Sequence, residues 1–107
     1  MANVDFGNLQ KQFRDMQKKI AQIEADLKDR VVEGTSGGNM VRVKMNGVQE
    51  TVQVEISPEV LASGDKTMLE ELVLAAVNEA AKKSKALHEK EMAKATGVGG
   101  VPGLLGM

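Results

Sequence analysis

The sequence predicts an α+β chain in which a long helix, a three-stranded antiparallel sheet and a second long helix follow one another. Three observations carry this. From Phe6 to Leu27 the apolar residues Phe6, Leu9, Phe13, Met16, Ile20, Ile23 and Leu27 are spaced alternately three and four apart, the a/d seam of a helix sustained over three heptads. Between residues 30 and 56 the period drops to two, with Val41, Val43 and Met45 alternating with Arg42 and Lys44, as half-buried strands require. From about Asp65 a broad apolar face returns at helical spacing, comprising Leu69, Leu72, Val73, Ala76, Val77 and Ala80.

Each element carries its own signals. Asp5 or Asn3 can cap the first helix, whose periodicity runs to about Asp29. Arg30 to Ser36 reads as a short strand and Gly37-Gly38 as a turn. Asn46-Gly47 predicts a two-residue type I′ hairpin, since both residues accept positive φ. In the returning strand, Val48, Val52, Val54 and Ile56 are expected inward, with a bulge or an edge-facing position at Glu50. Ser57-Pro58 opens a short helical turn, which Ser63-Gly64-Asp65 interrupts. The second long helix is expected to end near Thr96-Gly97. Residues 1–96 then form one domain, and residues 97–107, with five glycines in eleven, form a flexible tail.

Composition narrows the function classes. The chain has 107 residues, 42% apolar and 27% charged, with no cysteine, tryptophan or tyrosine and a single histidine. Its two phenylalanines, Phe6 and Phe13, both lie in the first helix. So little large side-chain volume predicts a marginal monomer and hence an oligomer. No disulfide framework is possible, the start has no secretory pattern, and no apolar run reaches the roughly 20 residues that span a bilayer. A cytosolic protein without membrane contact is expected. His88 lies among Glu89, Lys90 and Glu91 and reads as a solvated residue without a second metal ligand. Gly37-Gly38 lacks the Lys-Ser/Thr of a phosphate loop, and Glu70-Glu71 suit a helix start. No catalytic site, cofactor, metal or small-molecule substrate is expected.

Charge is the informative feature. From Asn8 to Lys19 four basic residues face one acidic, and from Lys82 to Lys94 five face two, so each segment carries +3. Residues 20–81 hold five basic and eleven acidic residues, a net of -6. If the long helices fold back beside each other, basic charge gathers at one end of an otherwise acidic molecule, as phosphate contacts require. Composition alone favours ordinary solvated helix faces, because the pI is 5.8, and the lack of an aromatic residue for base stacking argues against single-strand or RNA-loop recognition.

The segments "GGNMVRVKMNGVQETVQVEISPEVL" and "DKTMLEELVLAAVNEAAKKS" resemble the YbaB/EbfC family of bacterial nucleoid-associated proteins. The matching features are Gly37-Gly38, Asn46-Gly47, the strand exit Val54 to Pro58 and the helix Leu69 to Ala80, within a likeness covering about residues 6–96. The resemblance implies a homodimer joined through its sheet, with long helices projecting like tweezers. It implies duplex DNA as partner and a role in nucleoid organisation and regulation of gene expression, in the cytoplasm at the nucleoid. The family's proposed DNA contacts correspond here to Lys11, Arg14 and Lys18, and to Lys82, Lys83, Lys85 and Lys90. The alternative is a prefoldin-like holdase or protein-interaction adaptor, whose gripping surface would be Phe6, Leu9 and Phe13.

Overall fold

The computed structural model describes residues 6–96. The expected caps Asp5 and Asn3 and the tail 97–107 lie outside the described residues. The chain runs α1 (Phe6–Asp29), β1 (Val31–Ser36), β2 (Val41–Asn46), β3 (Thr51–Ile56), α2 (Pro58–Ser63) and α3 (Lys66–Thr96). The strands form one antiparallel meander in the order β1-β2-β3. The molecule measures 74 × 30 × 17 Å with a radius of gyration of 20.2 Å, against about 13 Å for a compact chain near this length. The length comes from two helices of 24 and 31 residues that outrun a six-residue-wide sheet.

One face of the sheet is built from alternate residues, and α3 lies across it. Val32 pairs with Met45, Gly34 with Val43 and Ser36 with Val41. Val41, Val43 and Met45 form the core with Ala76 and Ala80, and Leu69, Leu72, Val73 and Val77 pack around it. Gly34 sets the depth of this contact. A Cβ there would stand 2.3 Å from both the Ala76 carbonyl oxygen and the Ala80 nitrogen. Helix and strand backbones therefore nearly touch, which only glycine opposite alanine permits.

α3 also closes the outer edge of β1. The Thr35 N–H donates to Glu79 Oε1 at 3.0 Å, and Lys83 Nζ donates to the Glu33 carbonyl at 2.8 Å. Two backbone groups of an edge strand, otherwise a template for pairing with another chain, are thereby occupied. The Thr35 donor bond first, and then the neighbouring Lys83, hold the Glu79 carboxyl below the ordinary 4.5.

The β2–β3 connection differs from the expected type I′ turn. Asn46 and Glu50 close a three-residue loop, Gly47-Val48-Gln49, with the Asn46 N–H donating to the Glu50 carbonyl at 2.9 Å. The left-handed residue is Gln49, at φ 63°, and Gly47 does not have positive φ. Asn46 Oδ1 accepts from the Val48 and Glu50 N–H groups at 3.0 and 2.9 Å. Gly47 is small for another reason: its N–H donates to the Leu27 carbonyl at 2.8 Å. A Cβ there would lie 2.7 Å from Leu27 Cδ2. Docking of α1 thus selects the longer loop. The bulge falls not at Glu50 but where Met45 faces Thr51, one residue out of step with the Lys44–Gln53 pair.

Val52 and Val54 are not buried as expected. They are 54% and 47% exposed, although Val54 pairs with core residue Val43. The cause is placement: α3 crosses β1 and β2, and β3 is the opposite edge of the sheet. The short helix follows expectation, with Ser57 capping the Val60 N–H and Gly64 left-handed at φ 70°. Asp65 caps α3 by accepting from the Met68 N–H at 3.0 Å.

Candidate nucleic-acid interface

The foot of α1 is held on three sides. Leu27 is fully buried, and Ile20 and Ile23 are half-buried, where α1 packs on α3 and β2. Ser84 of α3 is wholly buried beside this foot. Its hydroxyl donates to the Asn46 carbonyl at 2.7 Å and accepts from the Gln49 N–H at 3.0 Å. Arg30 reaches Glu91 at 3.3 Å, and Lys94 reaches the same carboxylate oxygen at 3.2 Å. Lys94 first, and Arg30 after it, keep the Glu91 carboxyl below its usual range.

From this foot the rest of α1 stands away from the sheet. Lys11, Arg14 and Lys18 are all exposed. Their spacing of three and four residues places them on one side of the helix, over about 10 Å at 1.5 Å per residue. Lys11 lies about 24 Å along the axis from Leu27 by the same rise. The first helix therefore presents Lys11, Arg14 and Lys18 together on an exposed side.

The second basic segment lies elsewhere than expected. Lys82, Lys83 and Lys85 are exposed, but they flank Ser84, which is bonded to the β2–β3 loop. Lys83 is engaged with Glu33 and with Glu79 at 3.4 Å. These lysines therefore sit beside the sheet, at the foot of α1, about 18 Å before the end of α3. The expected gathering of basic charge at one end does not occur, because α3 keeps contact with the sheet as far as Ser84. Lys90 is exposed farther along α3. The cations thus form two groups spread along the molecule rather than one cluster at an end. Lys85 also lines a recess of about 240 Å³ with Glu24, Gly47, Val48, Gln49 and His88. His88 is consequently half-buried, not a fully solvated residue.

The sequence did not reveal the pairing of Glu79 and Lys83 with the edge of β1. Their i,i+4 spacing was visible, but their role depends on where α3 crosses the sheet. Among the described residues no group of three or more His, Cys, Asp or Glu could hold a metal ion. No described helix is long and apolar enough to cross a membrane.

Known proteins resemble this chain along most of its length. The chain is 44% identical over 100 residues to "Nucleoid-associated protein TTE0040" of Caldanaerobacter subterraneus, covering 94% of this chain and 90% of that protein. It is 40% identical over 104 residues to a nucleoid-associated protein of Pelotomaculum thermopropionicum, covering 97% and 99%. A solved structure, that of the uncharacterized protein HP0035 from Helicobacter pylori, superposes with a TM-score of 0.74 at 30% identity, over 82% of this chain and 92% of that one. Residues 1–99 match the YbaB/EbfC DNA-binding family, and with relatives this similar along nearly the whole chain, the protein belongs to that family.

Proposed function

We propose that the chain binds duplex DNA as a homodimer, mostly through backbone phosphates, and serves nucleoid organisation and the regulation of gene expression. The family match along residues 1–99 carries the DNA reading. The exposed basic side of α1, Lys11, Arg14 and Lys18, supports the contact surface. Its length of about 10 Å corresponds to roughly three base-pair steps. Lys82, Lys85 and Lys90 extend the positive surface toward the foot, and Lys83 joins it while capping β1. Few contacts per protomer predict modest sequence discrimination.

A gel shift on random-sequence duplex, with salt raised from about 50 to 200 mM, tests this reading. Each phosphate contact contributes a slope of about -0.9 in log affinity against log salt. Exchanging Lys11, Arg14 and Lys18 for Gln flattens the slope if they make those contacts. Lys82→Gln with Lys85→Gln tests the foot without disturbing the Lys83 bond. An unchanged slope in both variants rejects the basic surface while leaving family membership intact.

The dimer reading is supported by Val52 and Val54 on the edge strand and Leu74 on α3, which are apolar but exposed. Val73 and Val77 pack on the monomer's own core, so charging them would unfold the protomer rather than separate two of them. Leu74→Glu, 61% exposed in the single chain, is the discriminating change. It halves the mass by light scattering at micromolar concentration if this face joins the protomers. Wild-type protein that is monomeric there rejects the dimer.

The exposed Phe6, Leu9 and Phe13 favour one second reading, a prefoldin-like holdase. That reading requires Phe6→Ser with Phe13→Ser to abolish suppression of aggregation of an unfolded client, while the lysine variants retain it.

A further inference from the structure

The recess of about 240 Å³ between the foot of α1, the β2–β3 loop and α3 is lined by Glu24, Gly47, Val48, Gln49, Lys85 and His88. We propose that it takes one backbone phosphate of bound duplex DNA, held by Lys85 together with the protonated imidazole of His88. The grip on DNA then tightens as pH falls. This rests on the DNA reading above and adds to it a site and a proton.

The walls of the recess are fixed, and its backbone donors are already used. The Gly47 N–H donates to the Leu27 carbonyl at 2.8 Å. The Val48 N–H donates to Asn46 Oδ1 and the Gln49 N–H to Ser84 Oγ, both at 3.0 Å. Side chains must therefore recognise the occupant. The recess is also smaller than the roughly 300–1,000 Å³ of pockets that enclose a whole small molecule. It suits one group of a larger ligand that lies outside it.

Placement gives the class of that ligand. Lys82, Lys85 and His88 are three residues apart and share one side of α3, over about 9 Å at 1.5 Å per residue. The row parallels Lys11, Arg14 and Lys18 on α1, except that its third member titrates. A polyanion lying on Lys82 and Lys85 reaches the recess next.

Charge supplies the switch. With His88 neutral, Glu24 offsets Lys85 among the lining residues, and an anion finds no net attraction. A proton on His88 leaves a net +1 and adds a charged N–H donor for a phosphate oxygen. The surrounding charges do not reverse this. On α3, Glu91 lies one turn beyond His88 but is engaged by Arg30 and Lys94, and Glu89 is exposed. On α1, Lys28 follows Glu24 by one turn and is exposed. The loop brings no charge into the recess, and Glu50 at its end accepts from Asn46 Nδ2 at 2.7 Å.

His88 is the single histidine of the chain, and histidine is the side chain whose ordinary charge change falls between about pH 5 and 8. Fluorescence anisotropy on a labelled random-sequence duplex at fixed salt, from about pH 7 to pH 5.5, therefore tests the proposal clear of the α-amino group. Circular dichroism checks the fold at both ends. Wild-type affinity should rise at least about threefold, and the salt slope should steepen by up to about 0.9 per occupied recess. His88→Gln should abolish the rise, and Glu24→Gln should increase affinity at pH 7. Lys11→Gln with Lys18→Gln, away from the recess, should keep the rise whatever it does to affinity.

The wild type offers a readout that needs no substitution. Binding and protonation are linked, so duplex should move the NMR titration of the one imidazole to higher pH. Inorganic phosphate at equal phosphate concentration should not. Equal wild-type affinity at both pH values overturns the recess site and leaves DNA binding standing. So does a rise that persists in His88→Gln, or an imidazole titration that duplex fails to move. An equal movement by inorganic phosphate overturns the assignment to DNA. No duplex binding at either pH overturns both readings.

Discussion

The two ends of α1 share one helix and one seam, and yet have opposite surroundings. At the foot, Leu27 is fully buried, its carbonyl accepts from the Gly47 N–H, and glycine opposite it admits the side chain. At the free end, Leu9 and Phe13 occupy equivalent seam positions and remain half or more exposed. The same pattern of residues therefore stabilises the fold at one end and offers a surface at the other. What separates them is the distance to α3 and the sheet, not their chemistry.

The largest expected effect is at the base of this arrangement. Gly34→Ala puts a methyl group into backbone atoms of Ala76 and Ala80, and relief requires the whole of α3 to shift. Overpacking of cores commonly costs about 1–3 kcal/mol, and with backbone on both sides the loss should be about 3 kcal/mol or more. Denaturant unfolding measures it through the transition midpoint.

The comparison within the seam is sharper. Leu27→Ala should cost about 3 kcal/mol, in the range for buried leucines. Leu9→Ala, made at low micromolar concentration, should change stability by less than about 0.5 kcal/mol. Equal losses at the two sites would mean that the upper seam is already covered within the folded unit.

The smallest effect concerns the edge of β1. The Glu79 carboxyl is held below 4.5 by the Thr35 N–H and then by Lys83. A depressed carboxyl contributes stability that is fully present above the unfolded value and is lost as pH falls through the folded one. Thermal unfolding between neutral pH and about pH 3 should therefore show a decline beginning near the ordinary carboxylate range. Glu79→Gln should make that decline shallower while leaving the Thr35 donor a carbonyl partner. An identical acid profile in the variant would show that the edge contact carries no pH dependence.

Much of this molecule was determined by sequence alone. The seam from Phe6 to Leu27, the alternation in Val41, Val43 and Met45, and the Ser57-Pro58 start are local patterns. A helix or strand buries one face, so its period is written into its own residues. The family resemblance was legible for the same reason, through short segments whose spacing is fixed by turns and strand exits.

Only tertiary structure decided where those faces meet. Asn46-Gly47 fits a two-residue turn locally, but Leu27 takes the Gly47 N–H and Ser84 takes that of Gln49, and the three-residue loop wins. Val52 and Val54 carry a core pattern and stay exposed because α3 lies over β1 and β2. Lys82, Lys83 and Lys85 read as a helix end, but α3 keeps contact with the sheet as far as Ser84. In each case the outcome depends on the angle and reach of a helix across a sheet. Those are set by close approaches such as Gly34 against Ala76 and Ala80, contacts between residues far apart in the chain that no local period encodes.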